Sequence, residues 1–311
     1  MRLINFCIAS AAILLLTATV LVSAAQTTNI EPSQAGSSSN YSWKDVEQAM
    51  GRSGTLTPDG VYKFSMPRSD LNVKIGNDTV APTLALGSWV AFKNEGNTSM
   101  LMGDLVLTLD EVNPVMQMLQ QRGIEQTALH NHLLGESPRV MYMHITGHGD
   151  PILMARGIHD ALALTKTPAN ASISTQPINN SLDTAMLNAT IGAKGKNSGG
   201  VYQFGIPRNE KITDTGMEVP SSMGVATGIN FQPLGNGNVA IAGDFVLTGD
   251  EVNPVIKVLR GNNINVTAIH NHMIYEEPRL FFLHFWSTGD QSKLASGLKE
   301  ALNETNSSLP R

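Results

Sequence analysis

GDLVLTLDEVNPV, residues 103–115, returns as GDFVLTGDEVNPV at residues 243–255, identical at 11 of 13 positions. The same offset of 140 residues joins GVYKFSMPR, from Gly60, to GVYQFGIPR, from Gly200, and runs on to the last predicted helices. A single long offset of this kind marks one globular unit made twice. A solenoid would instead repeat every 20–50 residues or so.

Reading outward from the motif gives the unit. A run from Met100 to Thr108 has strand character, and Asn113-Pro114 offers a helix start, since Asn caps first-turn amides and Pro tolerates the first helical position. Val115, Met118 and Leu119 form the apolar stripe of that helix, and Gly123 stops it. Gly60–Met66 and Leu86–Lys93 read as strands before it, Thr127–Leu133 and Arg139–Thr146 as strands after it, and Pro151–Leu164 as a final helix. Its counterpart in copy two is Gln291–Leu302. The predicted class is α+β, two tandem copies of one unit with a mixed or antiparallel sheet and packed helices.

The copies span residues 41–166 and 182–306, separated by a polar linker at 167–181 and followed by a tail at 307–311. Another polar linker occupies 26–40. Residues 1–25 read as a secretory signal: Arg2, an apolar run from Ile8 to Val22, then Ser23-Ala24-Ala25. The expected location is secreted or extracytoplasmic, with membrane attachment only if that segment is retained. Cys7 is the sole cysteine, so a chain cleaved after Ala25 has no thiol for a disulfide, a nucleophile or a cysteine-rich metal site. Net charge is −5 without a basic block, which speaks against nucleic-acid binding. Nine Asn-x-Ser/Thr triplets, from Asn40 to Asn306, are candidate glycan acceptors if the host makes N-glycans.

With thiols removed, chemistry falls to histidine and carboxylate. Six of the eight histidines form two matched triplets: His130, His132 and His144 in TALHNHLLGESPRVMYMH, and His270, His272 and His284 in TAIHNHMIYEEPRLFFLH. On a strand, His130 and His132 share a face. His144 joins them from an antiparallel neighbour only if directly paired residues have numbers of even sum, such as 130 opposite 142. Three imidazoles with an open position suit catalytic zinc, and Glu136, with Glu276 in copy two, is a candidate fourth ligand or base. The expectation is a site for zinc or another divalent metal in each copy. The competing reading is a noncatalytic extracellular binding module with buried structural histidines, its ligand or substrate unknown.

Other candidates have plainer readings. Asp104 and Asp244 are expected at Gly-Asp turns bonding amides, with metal ligation as the lesser alternative. Arg139 and Arg279 are expected to pair with Glu136 and Glu276 rather than clamp an anion. Asp-Glu in DEVNPV reads as turn and cap chemistry. Met100/Met102, Met116/Met118 and Met141/Met143 become Ala, Ile, Val, Phe and Leu in copy two, so those positions call for apolar volume and not copper-binding sulfur. His148 and His159 become Thr288 and Lys299, while copy two gains Tyr275, Phe281, Phe282 and Trp286, which core packing explains more simply than ligand binding.

GDLVLTLDEVNPV, TALHNHLLGESPRVMYMHITGHGD and their partners GDFVLTGDEVNPV and TAIHNHMIYEEPRLFFLHFWSTGD resemble the LppY/LpqO-type family of duplicated exported proteins, whose function is uncharacterised. The resemblance implies an extracytoplasmic location and a duplicated domain. It supplies no catalytic residue. This chain departs from the lipoprotein members in lacking a cysteine at the end of the signal's apolar run.

Overall fold

The computed structural model describes residues 41–95, 98–169 and 182–309. The signal segment, the first linker and most of the second lie outside the described residues. The described residues form one compact unit. Each copy is an α+β unit built on a six-stranded antiparallel sheet. In copy one the sheet order is Thr55–Leu56, Tyr62–Pro67, Gly87–Glu95, Thr98–Thr108, Val140–Gly149, Glu125–His130. Copy two repeats it as Lys196–Ser198, Val201–Ile206, Thr227–Gly235, Asn238–Leu247, Phe281–Asp290, Asn265–His270.

Alternation along each strand sorts its side chains between two cores. On Thr98–Thr108, Leu101, Leu105 and Leu107 face the helices Trp43–Met50, Val112–Gln121 and Pro151–Leu162 of the same copy. Met100, Met102 and Val106 face the other way and pack with residues of copy two, among them Val246, Phe282, Ala240 and Ala242. The two sheets therefore bury their inner faces against each other. The methionines supply volume there, as the copy comparison predicts; Met100 is fully buried. The Gly-Asp pair of both motifs lies within a strand, not at a turn. A Cβ at Gly243 would fall 1.9 Å from the Gly228 carbonyl oxygen, which explains the glycine.

Several boundaries differ from the sequence expectation. The first strand of the histidine hairpin ends at His130, so His132 lies beyond it in an irregular segment. Its connector is not a bare turn: Glu136–Ser137 forms a short strand pairing with Lys74–Ile75, and Ser137-Pro138 is cis. Asn113 does not cap its helix, which begins at Val112, and in copy two the helix starts at Gly249 behind a Thr248–Glu251 capping box.

The acidic pair of DEVNPV owes its role to an arginine that the sequence reading passed over. Arg68, the last residue of GVYKFSMPR, is wholly buried and donates to both carboxylate oxygens of Glu111, to both of Asp70, and to the Val106 carbonyl. Glu111 also accepts from the amides of Thr108 and Lys166, tying strand, helix start and the segment after the last helix of copy one together. Arg208, Glu210 and Glu251 repeat the arrangement. Removing one partner leaves buried charge uncompensated, so Arg68→Met is expected to lower stability by about 3–5 kcal/mol. Urea denaturation checks this, and a loss below about 1 kcal/mol, the range of exposed ion pairs, would contradict it.

Candidate metal centre between the two copies

The hairpin register places His130 opposite Tyr142 and Ala128 opposite His144, the even-sum pairing that puts His144 on the inner face. Copy two is the same, with His270 opposite Phe282 and Ala268 opposite His284. Because the inner faces meet, the triplets do not form two separate sites. All six histidines converge at the junction of the copies, in three cross-copy stacks.

His130 stacks on His270 at 3.4 Å between ring centroids. His132 lies between Tyr142, at 3.5 Å, and His284, at 3.6 Å. His272 lies between Phe282, at 3.4 Å, and His144, at 3.6 Å. The exchange of partners is that of a pseudo-two-fold axis. Reciprocal hydrogen bonds fix it: Thr127 donates to the His272 carbonyl and Thr267 to the His132 carbonyl, each at 2.6 Å. These bonds hold the irregular segments carrying His132 and His272, and so replace the strand alternation that the sequence expected there.

Two groups of four donors result, His130, His132, His144 and His272, and His132, His270, His272 and His284, each with its ligand atoms within 4.8 Å of one another. His132 and His272 belong to both groups. The Nε2 atoms of all six rings are buried without a hydrogen-bond partner, as is His130 Nδ1. An unsatisfied buried polar atom costs about 1–3 kcal/mol. Six of them would forfeit roughly the 5–15 kcal/mol by which a domain is stable, so the donor set fits a group that binds imidazole nitrogen.

Burial dominates the electrostatics. It depresses the pKa of His130 to about 3, helped by His270 beside it, and that of His270 to about 4. His132, His144, His272 and His284 are pushed well below the usual imidazole value, again chiefly by desolvation. Neutral imidazole is the ligating form.

Asp104 and Asp244 face the same junction. Asp104 Oδ1 is buried without a partner, 3.9 Å from His144 Nε2, and so too far for a hydrogen bond. Burial raises its pKa well above the carboxylate range and that of Asp244 to about 7. Glu136 and Glu276 belong to neither four-donor group. Arg279 donates to both oxygens of Glu276, Arg139 lies 3.6 Å from Glu136, and Asn131 donates to Glu136. The arginines thus take the ion-pair role expected of them. His148 and His159 are exposed and away from the cluster, Phe282 packs on His272, and Trp286 joins the core between the copies.

The sequence reading missed Lys63 and Trp89. Lys63 donates to the Ser222 carbonyl at 2.9 Å, with its ammonium 4.2 Å from the Trp89 ring centre. Burial lowers its pKa to about 8. One signal was present: Lys63 against Gln203 is the one charge change between GVYKFSMPR and GVYQFGIPR.

The fold and site define a duplicated α+β protein with a histidine cluster on its internal pseudo-two-fold axis. Its sequence belongs to the family described as Domain of Unknown Function (DUF1259), matched twice, at residues 44–164 and 185–304. No curated protein matches the chain. Among solved structures, a trimeric bacterial microcompartment shell protein, PduB, is similar at 12% identity over 79% of this chain and 87% of that one, with a TM-score of 0.20.

The depressed pKa values set the acid response of metal-free protein. Below about pH 6.5 the unfolded chain takes up protons at these histidines that the folded state refuses, so stability is full above that pH and falls toward the folded values of about 3 and 4. Each histidine contributes up to about 1.4 kcal/mol per pH unit. Asp104 and Asp244 act in the opposite sense, but two carboxylates face six imidazoles. In EDTA the urea midpoint should therefore fall steeply from about pH 6.5 to about pH 5, and less steeply in His130→Ala/His270→Ala. An unchanged midpoint over that window would contradict the assignment.

Proposed function

We propose that this chain is a divalent-metal-binding protein, zinc being the ion best suited to an all-imidazole donor set, with one centre shared by both copies. The observation that carries the reading is the convergence of six histidines, each with a buried, unpartnered Nε2, into two overlapping groups of four. Structural histidines, as in a noncatalytic binding module, would be expected to spend those nitrogens on hydrogen bonds. The secretory reading of residues 1–25 and the resemblance of the repeated motifs to LppY/LpqO-type proteins support a secreted or extracytoplasmic location.

Hydrolysis by metal-activated water is the enzymatic extension of this reading. Glu136 and Glu276 are the bases the sequence suggests, but their arginine partners favour nearer carboxylates. Asp104, 3.9 Å from His144 Nε2, is better placed.

The shared ligands give the test. Purified tag-free protein dialysed against zinc should retain near-stoichiometric metal by elemental analysis, and zinc at about 100 times Kd should add about 2.7 kcal/mol of stability. His132→Ala and His272→Ala each damage both groups, whereas His144→Ala damages one. Zinc retention should therefore fall further in the first two variants than in the third. Wild-type protein that stays metal-free after zinc is offered would overturn the reading.

A further inference from the structure

A cavity of about 270 Å³ opens beside the cluster, lined by His132, His144, His272 and His284 and by Lys63 and Trp89. Asp104 and Asp244 also line it. A second cavity of about 470 Å³ shares Lys63, Trp89 and Gln203 with the first and carries Lys196. Two lysines and four histidines thus line adjoining cavities.

Three features bear on what enters. The Lys63 ammonium rests on neutral partners, the Ser222 carbonyl and the Trp89 ring, and among the described residues it has no carboxylate within ion-pair distance. Its nearest carboxylates, Asp59, Asp104 and Asp244, act on it only from beyond ion-pair distance, so the ammonium keeps a face open to an anion. The cavity also takes matching positions from both copies, yet the copies fill one of them differently: Lys63 against Gln203. Position 89 has a tryptophan where copy two, aligned by strand register, has Gly228. The differences give a nearly symmetric chamber one cationic, aromatic wall, as an asymmetric ligand requires. Finally, Asp104 and Asp244 lie opposite His144 and His284 in strand register, so a divalent ion held by the histidines would favour their charged form and offset that charge.

We propose that this cavity receives a small oxyanion, a carboxylate or a phosphate, anchored by Lys63 and directed at the metal centre. The proposal rests on the metal reading above. The cavity is smaller than the roughly 300–1,000 Å³ of drug-sized sites, which limits the ligand to a small molecule. Lys196 at the outer cavity adds to the field that draws an anion inward.

The experiment uses full-length protein loaded with cobalt(II), whose visible spectrum reports ligands at the metal, titrated separately with acetate and with inorganic phosphate. Cobalt content is measured in every sample. At least one anion should change the spectrum saturably, and Lys63→Gln, which installs the residue copy two carries, should weaken that response at least tenfold with cobalt content unchanged. Lys63→Arg should restore most of it. Response to acetate alone identifies a carboxylate site, and to phosphate alone a phosphate site. Full cobalt content with no response to either anion, or an equal response in Lys63→Gln, would overturn the proposal while leaving the metal centre standing. Protein that binds no cobalt would overturn the metal reading, and the proposal with it.

Discussion

Six neutral imidazoles buried at one junction, with every Nε2 unpartnered, are the constraint on which the rest of the molecule turns. Burial of this kind is tolerable only if the rings stay uncharged and something binds their nitrogens. The protein meets the first condition by desolvation and by stacking the rings face to face across the copies. It meets the geometric demand of the second by pinning the His132 and His272 segments with reciprocal threonine bonds. Neither copy alone holds a complete four-donor group, since each group borrows one histidine from the other half. Both copies thus contribute to each group.

The outer framework serves that junction. Each sheet takes its three longer helices on one face and keeps the other for its twin, so packing in the two same-copy cores fixes where the inner faces lie. The Arg68 and Arg208 clusters lock the start of the central helix and the chain after the last helix to the sheet. They lie away from the histidines and account for the acidic pair that recurs in both motifs. Charge in this protein is accordingly spent in two ways: fully paired at the arginines, and only partly paired around Lys63, Asp104 and Asp244.

Much of this was legible in the sequence. The repeat offset gave the duplicated α+β unit, and the parity rule for antiparallel pairing foresaw how His144 could share a face with His130. The apolar replacements of the methionines foretold packing and not ligation. The merging of the triplets was not legible. Met100, Met102, Ala240 and Ala242 read equally well as filling their own unit's core, and nothing local reveals that they meet the opposite copy. Asp104 read as a turn residue because Gly-Asp is common in turns, whereas its glycine serves close backbone approach within a strand. Lys63 and Trp89 gain their meaning only once the second copy closes the cavity over them.

The central claim is that one centre draws its ligands from both copies. Crystals of the zinc-loaded protein, measured at the zinc absorption edge, test it most directly. The account predicts anomalous density at the junction, about 2.0–2.1 Å from histidine nitrogens of both halves, with His132 or His272 bonded across the axis. Zinc bound only within one triplet, only at the surface, or nowhere would contradict it.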